Sequence, residues 1–182
     1  MTTARIKPAT NKKPDALRHG KPSTRSVTGF AHAIGEGVGA FVARVDAATP
    51  MQLVDAERNG VGARLIKDIA VEMNLPASRL FTIIGVPKAT VEKKVADNQI
   101  IAGAGGQAVL GLIRLIGMAQ RIVDNSTSPT AKGFDAAKWL GQWIERPQQA
   151  LAGKRPAELL DTPTGFDIVA RVLGAIESGA YL

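Results

Sequence analysis

The chain has 182 residues, of which 45% are hydrophobic and only 4% aromatic, and it contains no cysteine. A disulfide framework and a thiolate zinc site are therefore excluded, and aliphatic side chains have to supply most of the packing. The net charge of +7 does not by itself indicate nucleic-acid binding, because residues 1–25 hold seven basic side chains and one acidic one, which leaves only +1 for the rest of the chain.

The N-terminal segment is predicted to be a basic, largely disordered tail. Residues 1–28 are rich in lysine, proline, serine and threonine, a composition that buries too little apolar surface to order itself. Its basic side chains either contact phosphates or simply remain solvated, and both interpretations stay open. Apolar residues at helical spacing predict a marginal helix near residues 30–46, so the tail is taken as residues 1–48. No secretory or membrane-spanning segment is recognised, which predicts a soluble, cytoplasmic protein without a membrane partner.

Two further helices are predicted next in the chain. Thr49 and Pro50 form a start signal, with threonine as the N-cap and proline in the first turn. This helix reaches Arg58 and ends at Asn59-Gly60. The next runs from about residue 62 to residue 73 with one apolar face.

Residues 77–94 predict a helix-turn-helix, with the turn at residues 85–87. Gly85 supplies the left-handed backbone that ends one helix, and Pro87 begins the other. In this motif the second helix enters the major groove of DNA. Glu92 and Asp97 on that helix oppose DNA binding, and an ordinary helical hairpin is the alternative. The predicted DNA-binding residues are Lys88, Thr90, Lys93 and Lys94.

The remaining segments complete an all-α class. A glycine-containing flexible link is predicted at residues 100–106, followed by a helix at 106–124 that is apolar nearly all round and must be buried. A polar break at residues 125–130 marks a domain boundary. After it come a helix capped by Asp135, with a stacked pair of core tryptophans, Trp139 and Trp143, and a last helix that begins at Thr162-Pro163. The expected domains are 49–124, a helix-turn-helix with a dimerisation helix, and 125–182.

Catalysis is not predicted. The two histidines, His19 and His32, lie in the tail and its marginal helix, so no nucleophile–histidine pair or metal cluster surrounds a rigid pocket. The glycines at 103, 105 and 106 do not follow a strand, which argues against a nucleotide-binding loop. No enzyme activity, cofactor or metal is therefore expected.

Residues 143–162 read WIERPQQALAGKRPAELLDT, and the order of tryptophan helix, proline, glycine, proline, Glu-Leu-Leu and a threonine-capped helix resembles the C-terminal domain of the Xre/MbcA/ParS antitoxins. The ending IESGAYL is also similar, and the likeness covers roughly residues 49–182. The resemblance implies an antitoxin of a type II toxin–antitoxin system. Its partner would be a RES-domain toxin that consumes NAD or transfers ADP-ribose. It also implies a homodimer and autoregulation through operator DNA.

The resemblance further implies two toxin-binding regions. One is a contact surface and the other is a tip that blocks the toxin's active site, which an aromatic and apolar end suits physically. Two alternatives remain: Tyr181 folds back on Trp139 or Phe166, or the protein is a transcriptional regulator whose C-terminal domain only dimerises. The implied toxin-binding residues are Lys154, Arg155 and Pro156 for the surface and Gly179, Ala180, Tyr181 and Leu182 for the tip.

Overall fold

The computed structural model describes residues 36–177, apart from the side chains of Thr130 and Glu177. The predictions for the basic tail up to residue 35 and for the tip at residues 179–182 lie outside these described residues.

The described residues confirm the all-α class and add two very short strands. Three 3-10 turns, at Pro129–Ala131, Gln149–Leu151 and Pro156–Glu158, lie in the connections of the C-terminal part. The main elements are α1 (Val38–Asp46), α2 (Pro50–Asn59), β1 (Val61–Gly62), α3 (Ala63–Glu72), α4 (Ala77–Ile83), α5 (Lys88–Ala96), β2 (Ile100–Ile101), α6 (Gly103–Asp124), α7 (Ala136–Trp143) and α8 (Pro163–Glu177).

Local capping signals place the starts of three helices. The Thr49 side chain accepts a hydrogen bond from the backbone N–H of Gln52, whose side chain in turn accepts from the N–H of Thr49, a reciprocal capping box. Asp135 caps α7 through the N–H of Lys138, and Thr162 caps α8 through the N–H of Gly165. These starts agree with the sequence prediction, because a cap depends only on residues within one turn.

α6 is the central helix of the fold and packs against α1, α2, α7 and α8. It begins at Gly103, three residues before the predicted start. Its length and composition would allow it to cross a bilayer, but 61% of its apolar window is buried inside the protein. Burial by four other helices explains why it is apolar nearly all round.

The link before α6 is ordered by a strand pair that the sequence did not predict. β1 and β2 pair antiparallel, with Val61 opposite Ile101 and Gly62 opposite Ile100. Val61 and Ile101 are buried, so the predicted flexible link is wrong at its first residues. A two-residue strand has no periodicity to recognise.

Helices on both sides of the break at residues 125–130 share one continuous hydrophobic core. α7 lies so close to the end of α3 that a side chain at Gly141 would collide with the carbonyl oxygen of Met73. The Arg79 guanidinium on α4 also donates two hydrogen bonds to the Glu145 carboxylate after α7, Nε–Oε1 at 2.6 Å and Nη2–Oε2 at 2.9 Å. The C-terminal segment therefore packs against both α3 and α4.

Candidate interaction surfaces

α4 and α5 are two helices joined by a tight turn at residues 85–87, where the sequence predicts a helix-turn-helix. Gly85 has φ +67°, the left-handed conformation that the turn requires. Leu80, Ile84 and Val91 are buried, and α4 and α5 contact each other and α3. One face of α5 consequently points to solvent.

Three of the four predicted DNA-binding side chains are exposed on α5. Lys88, Thr90 and Lys93 are exposed, whereas Lys94 is half-buried. The Lys94 ammonium donates a hydrogen bond to the carbonyl oxygen of Ile100 at 2.9 Å. This bond links α5 to β2 and occupies one of the three N–H donors of the ammonium.

The acidic side chain of Glu92 is neutralised within the fold. The Lys67 ammonium on α3 lies 2.6 Å from its carboxylate oxygen. This pairing reduces the repulsion that Glu92 would exert on a phosphate. The sequence did not predict this ion pair, because Lys67 and Glu92 are 25 residues apart along the chain. Asp97 remains exposed at the end of α5.

The segment between α7 and α8 is a compact turn closed by its own backbone. The N–H of Gln148 donates to the carbonyl of Lys154, and the N–H of Gly153 donates back to Gln148, both at 3.0 Å. Ala152 and Gly153 are both left-handed, with φ of +54° and +80°. The turn is anchored by the buried Leu151 and presents the residues after it on one side of the molecule.

The structure separates the three residues of the implied contact surface. Lys154 and Arg155 are exposed. Arg155 lies 3.9 Å from Glu145 and 3.8 Å from Glu158, so its guanidinium belongs to a loose charged cluster. Pro156 is buried and begins a 3-10 turn, so its side chain is not exposed as those of Lys154 and Arg155 are, and its toxin-binding role stays a prediction. The buried Pro156 ring starts the turn that follows the exposed Lys154 and Arg155.

Two features of the sequence pattern, a glycine and a pair of tryptophans, can be explained by contacts in the structure. Gly165 lies against the carbonyl oxygen of Leu159, and any side chain at this position would collide with it. Trp139 and Trp143 stack with ring centroids 6.0 Å apart, as predicted. Trp143 is buried, whereas Trp139 is only half-buried.

The described residues contain no group of three or more histidine, cysteine, aspartate or glutamate side chains that could hold a metal. The charged side chains near α7 instead form ion pairs. The Lys138 ammonium lies 2.8 Å from the Asp135 carboxylate. This hydrogen bond, together with the backbone N–H of Lys138, lowers the pKa of Asp135. The Glu145 carboxylate raises the pKa of Arg79 in the same way.

Comparison with known proteins gives two matches. Residues 133–179 match the family described as the antitoxin Xre/MbcA/ParS C-terminal toxin-binding domain. The chain is also 34% identical over 155 residues to a protein of Sphingobium sp. (strain YBL2) named Prs ADP-ribosylating antitoxin, and the aligned part covers 85% of this chain and 96% of that protein.

Proposed function

Since this chain belongs to the Xre/MbcA/ParS family of antitoxins, we propose that it neutralises a RES-domain toxin by occluding the toxin's active site. Its role is that of an antitoxin, and its partner is a toxin. The name of the Sphingobium relative refers to ADP-ribosylation, which favours an ADP-ribosylating toxin over one that only consumes NAD. The protein acts in this proposal by binding, not catalysis, as a cytoplasmic homodimer.

The observation that carries this proposal is the match of the toxin-binding domain to residues 133–179, which end where the proposed tip begins. In this proposal, Lys154 and Arg155 contact the toxin surface. Residues 179–182 enter its cleft, with the Tyr181 ring as a rigid amphipathic anchor. Arg155 suits such a contact because its guanidinium is half-exposed, with side-chain exposure of 50%, and has only distant carboxylate neighbours within the fold.

Co-expression with a RES-domain toxin, sought in the reading frame next to its gene, tests this function. Deleting residues 179–182 should abolish the rescue of growth and leave the helical circular-dichroism signal intact, because the deleted residues follow the last helix. Deleting residues 1–28 is the matched control and should leave rescue unchanged. Full rescue by the tip deletion would refute the blocking mechanism. Loss of rescue from the full chain as well would favour the regulator whose C-terminal domain only dimerises.

DNA binding is the second part of the proposal. The exposed Lys88, Thr90 and Lys93 are oriented to contact operator DNA, with lysines on phosphates. The pairing of Glu92 with Lys67 favours this role because it removes a free negative charge from the recognition helix. No described side chain caps the start of α5, so its first N–H groups are also available to a phosphate.

Gel shifts on the DNA upstream of the chain's own gene test this part. Lys93→Ala should weaken binding and lower the slope of log affinity against log salt by about 1, the value for one lost phosphate contact. Lys94→Ala should change the slope less, because its ammonium is held by Ile100. A double substitution that leaves both affinity and slope unaltered would exclude α5 from the interface. Absence of binding by the intact protein and by its toxin complex would remove autoregulation from the proposal.

A further inference from the structure

An apolar groove lies on the surface beside the C-terminal part of α6. It has a volume of about 200 Å³. Contributions come from α6, from the Pro129–Ala131 turn, from α7 and from the last turn of α8. The main lining side chains are Ile122, Val123, Ala131, Phe134, Trp139 and Ile176.

The groove contains aromatic surface that the described residues leave uncovered. Phe134 is 41% exposed, one of four large hydrophobic side chains of the described part with such exposure. Its ring lies 6.3 Å from that of Trp139, measured between centroids, and Trp139 is itself only half-buried. An apolar groove with partly exposed aromatic rings suits the docking of a small apolar group, such as one or two side chains.

The position of α8 identifies the occupant. Ile176 lines the groove and is followed by only one further described residue, Glu177, so the described part of the chain ends at the edge of the groove and residues 178–182 follow from there. Five residues span at most about 17 Å when extended. They include Tyr181, the single tyrosine of the chain, and Leu182. Their side chains match a groove with an aromatic wall and an aliphatic floor.

The other aromatic position suggested by the sequence is already covered. Phe166 is buried, and the Arg114 guanidinium lies over its ring at 4.9 Å from the centroid. Phe166 also belongs to the first turn of α8, about 16 Å along the helix from its end. Trp139 is therefore the better partner for Tyr181.

We infer that, in the free protein, residues 178–182 dock in this groove with Tyr181 against Trp139 and Phe134. The consequence for regulation rests on the proposed function, because one segment cannot occupy its own groove and a toxin cleft simultaneously. Docking within the chain then competes with the toxin. A segment docked for nine-tenths of the time lowers the apparent affinity for the toxin about tenfold.

Acrylamide quenching of tryptophan fluorescence tests the docking without any toxin. In the full chain carrying Trp143→Phe, Trp139 is the only indole. Deleting residues 178–182, or introducing Tyr181→Ala, should increase the quenching constant, because Trp139 loses its cover. Tyr181→Phe should leave it nearly unchanged. The synthetic peptide Ser-Gly-Ala-Tyr-Leu in excess should restore protection to the truncated chain.

Substitutions in the groove test the same docking from the other side. Val123→Glu should expose Trp139 as the deletion does, and Ser126→Glu, at an exposed position of the same groove, repeats the test with less effect on folding. Gln107→Glu adds the same charge to α6 outside the groove and should have no effect. If Trp143→Phe disturbs folding, the same quenching measurements can be made in the wild-type chain, because the buried Trp143 adds a constant contribution to the fluorescence.

Quenching that is the same with and without residues 178–182 would overturn the inference. Protection that disappears on dilution would overturn it as well, because the covering segment would then belong to a second copy. Loss of toxin neutralisation on deletion concerns only the proposed function. The docking inference and the proposed function can therefore be refuted independently of each other.

Discussion

At the scale of single residues, a close backbone contact can decide which amino acid a position accepts, even against helix propensity. Gly141 shows this, because α7 approaches the carbonyl oxygen of Met73 so closely that even a methyl group cannot fit. Glycine in a helix interior costs about 1 kcal/mol relative to alanine. The close approach of α3 and α7, which packs the C-terminal segment against α3, offsets that cost.

Gly141→Ala should therefore lower the free energy of unfolding by about 1–3 kcal/mol, because overpacking against a backbone exceeds the gain in helix propensity. Gly174→Ala in α8 is the matched control. The nearest atom to a new methyl group there is the Met118 Cε at 3.9 Å, so this change should stabilise by about 0.5–1 kcal/mol. Urea denaturation measures both, and equal shifts of the two variants would contradict the steric argument.

At the scale of elements, helix ends in this fold depend on short-range electrostatics. Asp135 accepts a hydrogen bond from the N–H of Lys138 at 3.0 Å and pairs with the Lys138 ammonium. A negative charge at this position also suits the positive end of the helix dipole. Together these interactions lower the pKa of Asp135 below its ordinary value.

Because the folded pKa of Asp135 lies below the unfolded one, its charge stabilises the fold above the unfolded pKa of about 4 and loses this effect as the pH falls through the folded value. Asp135→Asn, which keeps a capping oxygen, should be less stable than wild type at pH 7, with the difference shrinking towards pH 3. Asp135→Ala also loses the cap and should cost about 1 kcal/mol at pH 7. Thermal denaturation at the two pH values measures this, and a difference independent of pH would exclude the charge effect.

At the scale of the whole molecule, the Arg79–Glu145 pair joins α4 to the domain that matches the antitoxin family. The side chains of Arg79 and Glu145 are 34% and 24% exposed, so solvent screens the pair in part. Two parallel hydrogen bonds nevertheless fix its geometry. The pair therefore contributes to the orientation of the toxin-binding segment relative to α5.

A double-mutant cycle with Arg79→Ala and Glu145→Ala should give a coupling energy of about 1 kcal/mol that decreases with added salt. The matched cycle with Arg155→Ala and Glu145→Ala should give a coupling close to zero, since those charges are 3.9 Å apart. Urea denaturation supplies the four unfolding free energies of each cycle. A larger coupling for Arg155 than for Arg79 would contradict the structure.

The sequence alone determined the helical class, the caps at Thr49, Asp135 and Thr162, the turn at Gly85 and the resemblance to the antitoxin family. These features depend on residues within one or two turns of each other, or on a recognisable pattern, and so remain readable without coordinates. The partly apolar face of α8 was equally readable, because helical periodicity is local.

Only the tertiary structure decided which charges and surfaces are available. Glu92 is neutralised by Lys67 and Glu145 is held by Arg79, partners 25 and 66 residues apart along the chain. The burial of Pro156 and the bond from Lys94 to Ile100 likewise depend on how distant elements pack. Sequence patterns report the intrinsic preference of a segment, whereas pairing and burial arise only when segments far apart in the chain are brought together.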